Sequence, residues 1–169
     1  MFDLFGDMDS AEEINKTAAG LKDEGDIENL KKLAEENGLP QEMAELYAAG
    51  ETDWLADPMT AAIGKIEVEE KELKLKEIMN DWAEYLKSQC MENEKLAAAV
   101  RKKGKSLRGC MTKLLEWSFK NQFEVDQGIR KAAGLRANVT IGIPGMGRAK
   151  TIMKEYYLTE EKSNEEKNV

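Results

Sequence analysis

The sequence of 169 residues contains no histidine, only two cysteines and only three prolines. Without histidine the chain can build no Ser-His or Cys-His nucleophile, no histidine general base and no ordinary His/Cys zinc site. An enzyme made from this chain would depend on carboxylate, lysine or tyrosine chemistry, with or without magnesium. The absence of histidine therefore excludes more chemistry than any other feature of the composition.

The two cysteines, Cys90 and Cys110, are expected to be reduced and buried in the core, as in a cytosolic protein. No apolar run approaches the length of a membrane span, and no basic segment followed by an apolar stretch opens the sequence. We therefore expect a cytosolic protein that makes no contact with a membrane.

The scarcity of proline and the abundance of Ala, Leu, Lys, Glu and Met predict a mostly α-helical fold, a bundle of about six to eight helices. Ser10 begins an S-x-x-E capping box, and Asp26, Pro40 and Asp57 mark further helix starts. IEVEEKELKLK, residues 66–76, alternates like a strand but is rich in helix formers, so both structures stay open. VTIGI predicts a short β segment near 138–143.

The most regular helical pattern follows Ser106. Its members recur at helical spacing and predict an amphipathic helix with a broad buried face: Leu107, Cys110, Met111, Leu114, Leu115, Ser118 and Phe119. The three tryptophans, Trp54, Trp82 and Trp117, are expected to lie in the core rather than to serve as stacking platforms.

Charge is distributed unevenly along the chain. Residues 1–60 hold 16 Asp and Glu against 4 Lys, whereas residues 101–169 hold 15 Lys and Arg against 8 acids. This distribution divides the sequence into an acidic helical N-terminal region (1–56), a helical core with a basic face (57–158) and a charged tail (159–169), which we expect to be disordered. A bipolar chain favours partners of opposite sign, or two parts that attract each other.

Two acid-free basic stretches are candidates for contact with the phosphates of duplex DNA. AVRKKGKSLRGC contains a dense cluster of cations, and IPGMGRAK has the apolar-Pro-Gly-apolar-Gly form of a turn that presents backbone N–H groups to phosphate at a helix start. A plain turn between a strand and a helix explains the glycines about equally well. The predicted DNA-binding residues are Arg101, Lys102, Lys103, Lys105, Arg108, Gly145, Gly147, Arg148 and Lys150.

The acidic N-terminal residues have two interpretations. They either make the protein soluble, or they imitate a phosphate backbone and dock in a basic channel of a nucleic-acid enzyme. The residues of this second, partner-binding interpretation are Asp3, Asp7, Asp9, Glu12 and Glu13.

An enzymatic alternative is a magnesium-dependent nuclease. Asp57 and the E-x-K string at Glu72 and Lys74 have the residue types of such a site, in which two carboxylates hold the metal and a lysine assists the attacking water. E-x-K strings are common in any chain rich in Lys and Glu, so we expect no catalytic residue, cofactor or metal here.

Four segments together resemble small proteins carried by phages and conjugative elements of gut Firmicutes: MFDLFGDMDSAEEIN, DPMTAAIGKIEVE, AVRKKGKSLRGCMTKLLEWSFKNQ and GIPGMGRAKTIMKEYYL. The resemblance spans nearly the full chain. It implies an anti-CRISPR protein that acts in the bacterial cytoplasm, binds the RNA-guided DNA nuclease of a type II CRISPR system and inhibits it without an active site. Such a nuclease holds nucleic acid in strongly positive channels. The alternative is a DNA-binding accessory or regulatory protein of the mobile element itself.

Overall fold

Helices dominate the protein, as the composition predicts. The computed structural model describes residues 2–159, and within them nine helices accompany one small antiparallel sheet. The helices are α1 (Ala11–Asp23), α2 (Ile27–Glu36), α3 (Gln41–Ala49), α4 (Pro58–Leu73), α5 (Ile78–Glu92), α6 (Glu94–Arg101), α7 (Leu107–Lys120), α8 (Gln127–Ala132) and α9 (Met146–Leu158). Apart from Thr159, the predicted charged tail lies outside the described residues.

Side-chain caps begin several helices where the sequence predicts them. The Ser10 hydroxyl accepts a 3.2 Å hydrogen bond from the Glu13 N–H, and the Glu13 carboxylate accepts one of 2.6 Å from the Asp9 N–H. Asp26 and Asp57 cap α2 and α4 in the same way. These bonds satisfy N–H groups that have no partner inside a helix, and so they fix where each helix begins.

The ambiguous stretch 66–76 is helical as far as Leu73. Lys74 then adopts a left-handed conformation with φ of 51°, and Glu77 also has a positive φ. These two residues end α4 and turn the chain into α5.

The predicted β segment forms the strand β2 (Thr140–Ile141), which pairs with β1 (Phe123–Glu124). Phe123 lies opposite Ile141 in this antiparallel pair. The sequence analysis did not predict β1, because it has two residues and no alternating pattern.

Two clusters of buried apolar residues form the core. One packs α1, α2 and α3 against the start of α4; the other packs α4, α5, α6, α7 and α9. Ala61 belongs to the first cluster and Ala62 to the second, so α4 joins them. Among residues 2–159 no helix has both the length and the hydropathy needed to cross a bilayer.

The structure corrects four predictions of burial. Trp54 is exposed, and Leu115 and Phe119 are exposed on α7, whereas Trp117 is half-buried outside both clusters and Trp82 is buried as predicted. α7 buries its first two turns in the second cluster, but its last turns extend beyond that cluster. A helical pattern shows which residues share a face, but it does not show how far along the helix the core extends.

Candidate nucleic-acid interface

Four lysines line one groove between α6 and the end of α9. The groove, hereafter the lysine groove, has a volume of about 630 Å³, and its lining includes the apolar residues Ala98, Ala99 and Leu158. No acidic side chain lines it among the described residues. Its lysines are Lys95, Lys102, Lys103 and Lys105. A concave surface lined by cations and by no anions concentrates positive potential and attracts polyanions.

A strip of α9 extends this basic surface. Lys150, Lys154 and Leu158 are spaced four residues apart and therefore lie along one side of the helix. Leu158 lines the lysine groove, so Lys154 and Lys150 continue from it toward the start of α9. Lys150 lies two turns, roughly 12 Å, along α9 from Leu158.

Lys105 positions one wall of the groove. Its ammonium donates hydrogen bonds to the carbonyl oxygens of Tyr156, at 2.8 Å, and Thr159, at 3.0 Å. These carbonyls lie at the C-terminal end of α9, where the helix dipole favours a cation. Lys105 therefore fixes the end of α9. The two carbonyl oxygens compensate part of its positive charge.

Arg101 does not belong to this surface, which corrects the prediction that it contacts DNA. Its side chain is 1% exposed. Its guanidinium donates to the Met8 carbonyl at 2.8 Å and to the Asn37 amide oxygen at 2.9 Å. Burial lowers the pKa of Arg101, and the nearby carboxylates of Asp7 and Glu69 oppose that shift. This arginine joins the N-terminal segment to the core.

Lys102 and Lys103 contact the acidic residues that the sequence analysis assigned to a separate partner-binding site. The Lys102 ammonium lies 3.2 Å from Asp9, and the Lys103 ammonium lies 3.7 Å from Glu13. The Lys103 N–H also donates to Asp9 at 2.7 Å, and this bond is the main reason why the pKa of Asp9 is lowered. The two predicted sites are therefore neighbours that partly neutralise each other.

These pairs still leave the lysines accessible. Both are more than half exposed, and exposed ion pairs contribute little to stability. Phosphates can therefore compete with Asp9 and Glu13 for the two ammonium groups.

Among the remaining predicted acidic residues, Asp7 also faces a cation of the protein. It lies 3.6 Å from the buried Lys65, whose ammonium donates at 2.9 Å to the Lys105 carbonyl. Glu12 is exposed in the first turn of α1, and Asp3 lies in the N-terminal segment. The structure does not bring these acids together as a patch separate from the lysines.

A buried pair of charges supports the loop that carries the lysines. Burial lowers the pKa of Lys65 and raises the pKa of Glu69. The Glu69 carboxylate accepts a 2.6 Å hydrogen bond from the Leu107 N–H at the start of α7. Lys65 and Glu69 thus fix residues 105–107 through these two hydrogen bonds. The sequence analysis did not predict this role for either residue.

The predicted residues of the second basic stretch are divided between two sides of α9. Arg148 lies over the Trp117 ring, 5.9 Å from its centroid, on the side that faces α7. Gly145 immediately precedes α9 and Gly147 lies in its first turn; neither has a positive φ, and open space surrounds both. Arg108 lines a small cavity with Glu69 and Glu72 and is not among the residues that line the lysine groove. Contact of these residues with DNA stays a prediction.

The residues of the nuclease alternative lie apart. Asp57 caps the start of α4 with a 2.7 Å hydrogen bond from the Thr60 N–H, and Glu72 lies near the end of the same helix. At 1.5 Å per residue the two are separated by roughly 22 Å. They cannot share a metal ion, and no group of three potential metal ligands occurs among residues 2–159.

Sequence reasoning missed Lys95 and Lys154. The spacing of Lys150 and Lys154 is a detectable signal, because residues four apart share a helix side. Lys95 lies four residues before the first basic stretch, and its spacing of seven residues from Lys102 is also a detectable helical signal.

Comparisons of the chain with protein-family models, with curated proteins and with solved structures found no match.

Proposed function

We propose that this protein is a non-enzymatic inhibitor that binds the RNA-guided DNA nuclease of a type II CRISPR system and contacts duplex DNA through the lysine groove. The observation that carries the DNA contact is the convergence of four lysines on one groove without an acidic lining residue. The nuclease as partner rests on the resemblance of the four sequence segments.

The size of the basic surface supports binding to phosphates. Lys105 is engaged with carbonyl groups, which leaves five cations for a DNA backbone: Lys95, Lys102, Lys103, Lys150 and Lys154. Contact with about five phosphates gives a slope near −4.5 in a plot of log K against log salt concentration. Binding would then weaken several hundredfold between roughly 50 and 200 mM salt.

Binding of this kind does not depend on sequence. The lysine groove offers point charges and a few apolar side chains, whereas recognition of bases requires planar donors or acceptors aimed at base edges. In the proposed inhibitor, specificity comes from the nuclease and the DNA contact adds affinity.

Fluorescence anisotropy with a labelled duplex tests the DNA contact. Lys102→Glu with Lys103→Glu is expected to abolish binding at physiological salt, because it reverses two charges in the groove. The matched control is Lys71→Glu with Lys76→Glu, which changes the net charge equally on exposed residues that do not line the groove. Equal losses in the two double variants would refute the assignment to the lysine groove.

Cleavage of target DNA by guide-loaded type II nucleases, with and without the protein, tests the inhibitory function. We expect the protein to block cleavage by its cognate nuclease and to co-purify with it. Unimpaired cleavage across a panel of such nucleases at large molar excess would refute this function.

One observation favours a second function, that of a DNA-binding accessory or regulatory protein of a mobile element. The lysine groove is built entirely from this chain, so binding to duplex DNA requires no nuclease. Salt-dependent DNA binding together with unimpaired cleavage would support this second function over the first.

A further inference from the structure

The segment between α7 and α9 exposes an unusual number of large apolar side chains. We define the arm as residues 119–148, from the last turn of α7 to the first turn of α9. Ile129 is 63% exposed and Phe123 is 60% exposed. The seven exposed large apolar residues of the arm are Phe119, Phe123, Ile129, Leu135, Ile141, Ile143 and Met146. Isolated exposed apolar residues are ordinary, but a concentration of them marks an interaction surface.

Hydrogen bonds rather than apolar packing stabilise the conformation of the arm. The Arg130 guanidinium donates to the Val125 carbonyl at 3.1 Å and to the Asn138 side chain at 2.7 Å. Among the described residues, neither apolar cluster includes a residue between 115 and 148, and α8 buries none of its residues. The seven exposed apolar side chains of the arm therefore belong to neither apolar cluster of a single copy.

The arm also carries cations without acidic partners. Within residues 2–159 no ion pair involves the five cations of the arm, which are Lys120, Arg130, Lys131, Arg136 and Arg148. The arm has two acids, and one of them, Asp126, caps α8. A surface that complements the arm must be both apolar and acidic.

The protein itself provides such a surface at the end of the α3–α4 loop. Trp54 is 51% exposed and Met59 is also exposed, and Glu51 and Asp53 are exposed beside them. Residues 51–59 contain three acids and no cation, and no ion pair in the described part of the chain involves them. This segment is therefore both apolar and acidic, as a surface that complements the arm must be.

We propose that the arm of one copy docks on residues 51–59 of a second copy. In a two-fold arrangement each copy offers both surfaces, so both arms are covered at once. Pairing of one arm with the other would instead bring like charges together, which disfavours that alternative. The proposal is independent of the DNA and nuclease contacts.

Sedimentation equilibrium of the full-length protein over a wide range of concentrations tests the dimer. Ile129→Ser and Trp54→Ser are each expected to raise the dimer Kd about a thousandfold, because a two-fold dimer contains each substitution twice and losing one central contact costs about thirtyfold. Added salt is expected to weaken the dimer, because it screens the charges at its rim. A wild-type protein that stays monomeric at all concentrations would overturn the proposal.

A charge-swap experiment identifies the two surfaces. Lys131→Glu with Arg136→Glu makes the arm acidic, and Glu51→Lys with Asp53→Lys makes the segment basic. Each double variant alone is expected to be monomeric, since both of its contacts become repulsive. An equimolar mixture is expected to form a heterodimer, because each arm then meets a segment of opposite charge.

Circular dichroism of each variant confirms that the helices remain, and Lys71→Glu with Lys76→Glu is the control for net charge. A dimer that survives either double variant, or a mixture that stays monomeric, would overturn the proposal. Restored association in the mixture would support it, because unfolding of a variant cannot produce restoration.

Discussion

Arg101 donates a 2.8 Å hydrogen bond to the carbonyl oxygen of Met8, a residue 93 positions earlier in the chain. This bond brings the acidic N-terminal segment to the end of α6, beside Lys102 and Lys103. It explains why the most acidic and one of the most basic stretches of the sequence are neighbours in the structure.

Replacing Arg101 by methionine is expected to lower the free energy of unfolding by about 3 kcal/mol, because a buried network loses its central donor. The Met8 carbonyl and the Asn37 amide oxygen would lose their donor, and Asp7 and Glu69 would lose a nearby positive charge. Urea denaturation measures the loss. The control is Lys102→Met, whose exposed ion pair is worth at most about 1 kcal/mol. Equal effects of the two substitutions would contradict the buried role of Arg101.

Gly64→Ala is expected to destabilise the protein, although alanine ordinarily stabilises a helix relative to glycine. A Cβ atom at Gly64 would overlap the Asn37 carbonyl oxygen, because α4 crosses the turn between α2 and α3 at this point. Gly64→Ala is expected to cost about 2–3 kcal/mol. Gly20→Ala in α1, where a Cβ would meet open space, is expected to stabilise by about 0.5–1 kcal/mol. Thermal unfolding of both variants tests the contrast, which fails if both substitutions stabilise.

The contribution of Asp9 to stability is expected to depend on pH. Its pKa is lowered from the ordinary value of 3.8, chiefly by the hydrogen bond from the Lys103 N–H. A depressed carboxyl pKa stabilises the folded state above the unfolded-state pKa, and this contribution is lost as the pH falls through the folded-state pKa. Asp9→Asn is therefore expected to destabilise at pH 7, and the difference is expected to shrink below pH 3.8. Urea midpoints across pH measure it, and a difference that grows in acid would contradict this assignment.

Both thiols are expected to be unreactive in the folded protein. Burial raises the pKa of Cys90 and Cys110 to about 12. Because the thiolate is the reacting form, an aromatic disulfide reagent at pH 8 is expected to modify neither cysteine in buffer and both in urea. Rapid modification of either thiol in buffer would show that the second apolar cluster opens readily.

Much of the secondary structure could be predicted because its signals are local. Ser10, Asp26 and Asp57 act as caps at the predicted positions, and the glycines at 38 and 50 adopt the positive φ expected at helix ends. Capping depends on a side chain and a backbone N–H two or three residues away, so the sequence contains all the necessary information. The strand β1 was missed because its only signal is its pairing with β2, on the far side of α8.

The candidate site was predicted only in part, and for a physical reason. Lys102 and Lys103 line the lysine groove with Lys95 and Lys105, whereas Lys150 lies on α9 outside that lining. Arg101 was misassigned because neighbouring residues on a helix point in different directions, and no local feature distinguishes a buried cation from an exposed one. Its burial depends on Met8 and Asn37, which belong to distant parts of the chain.

The sequence by itself determined the helical fold, most helix boundaries and the separation of charge along the chain, because these follow from composition and from contacts between near neighbours. Only the tertiary structure decided which charges face each other and which apolar residues stay exposed. Those outcomes depend on how α4, α6 and α9 pack, and packing sums many weak contacts between residues that are remote in sequence.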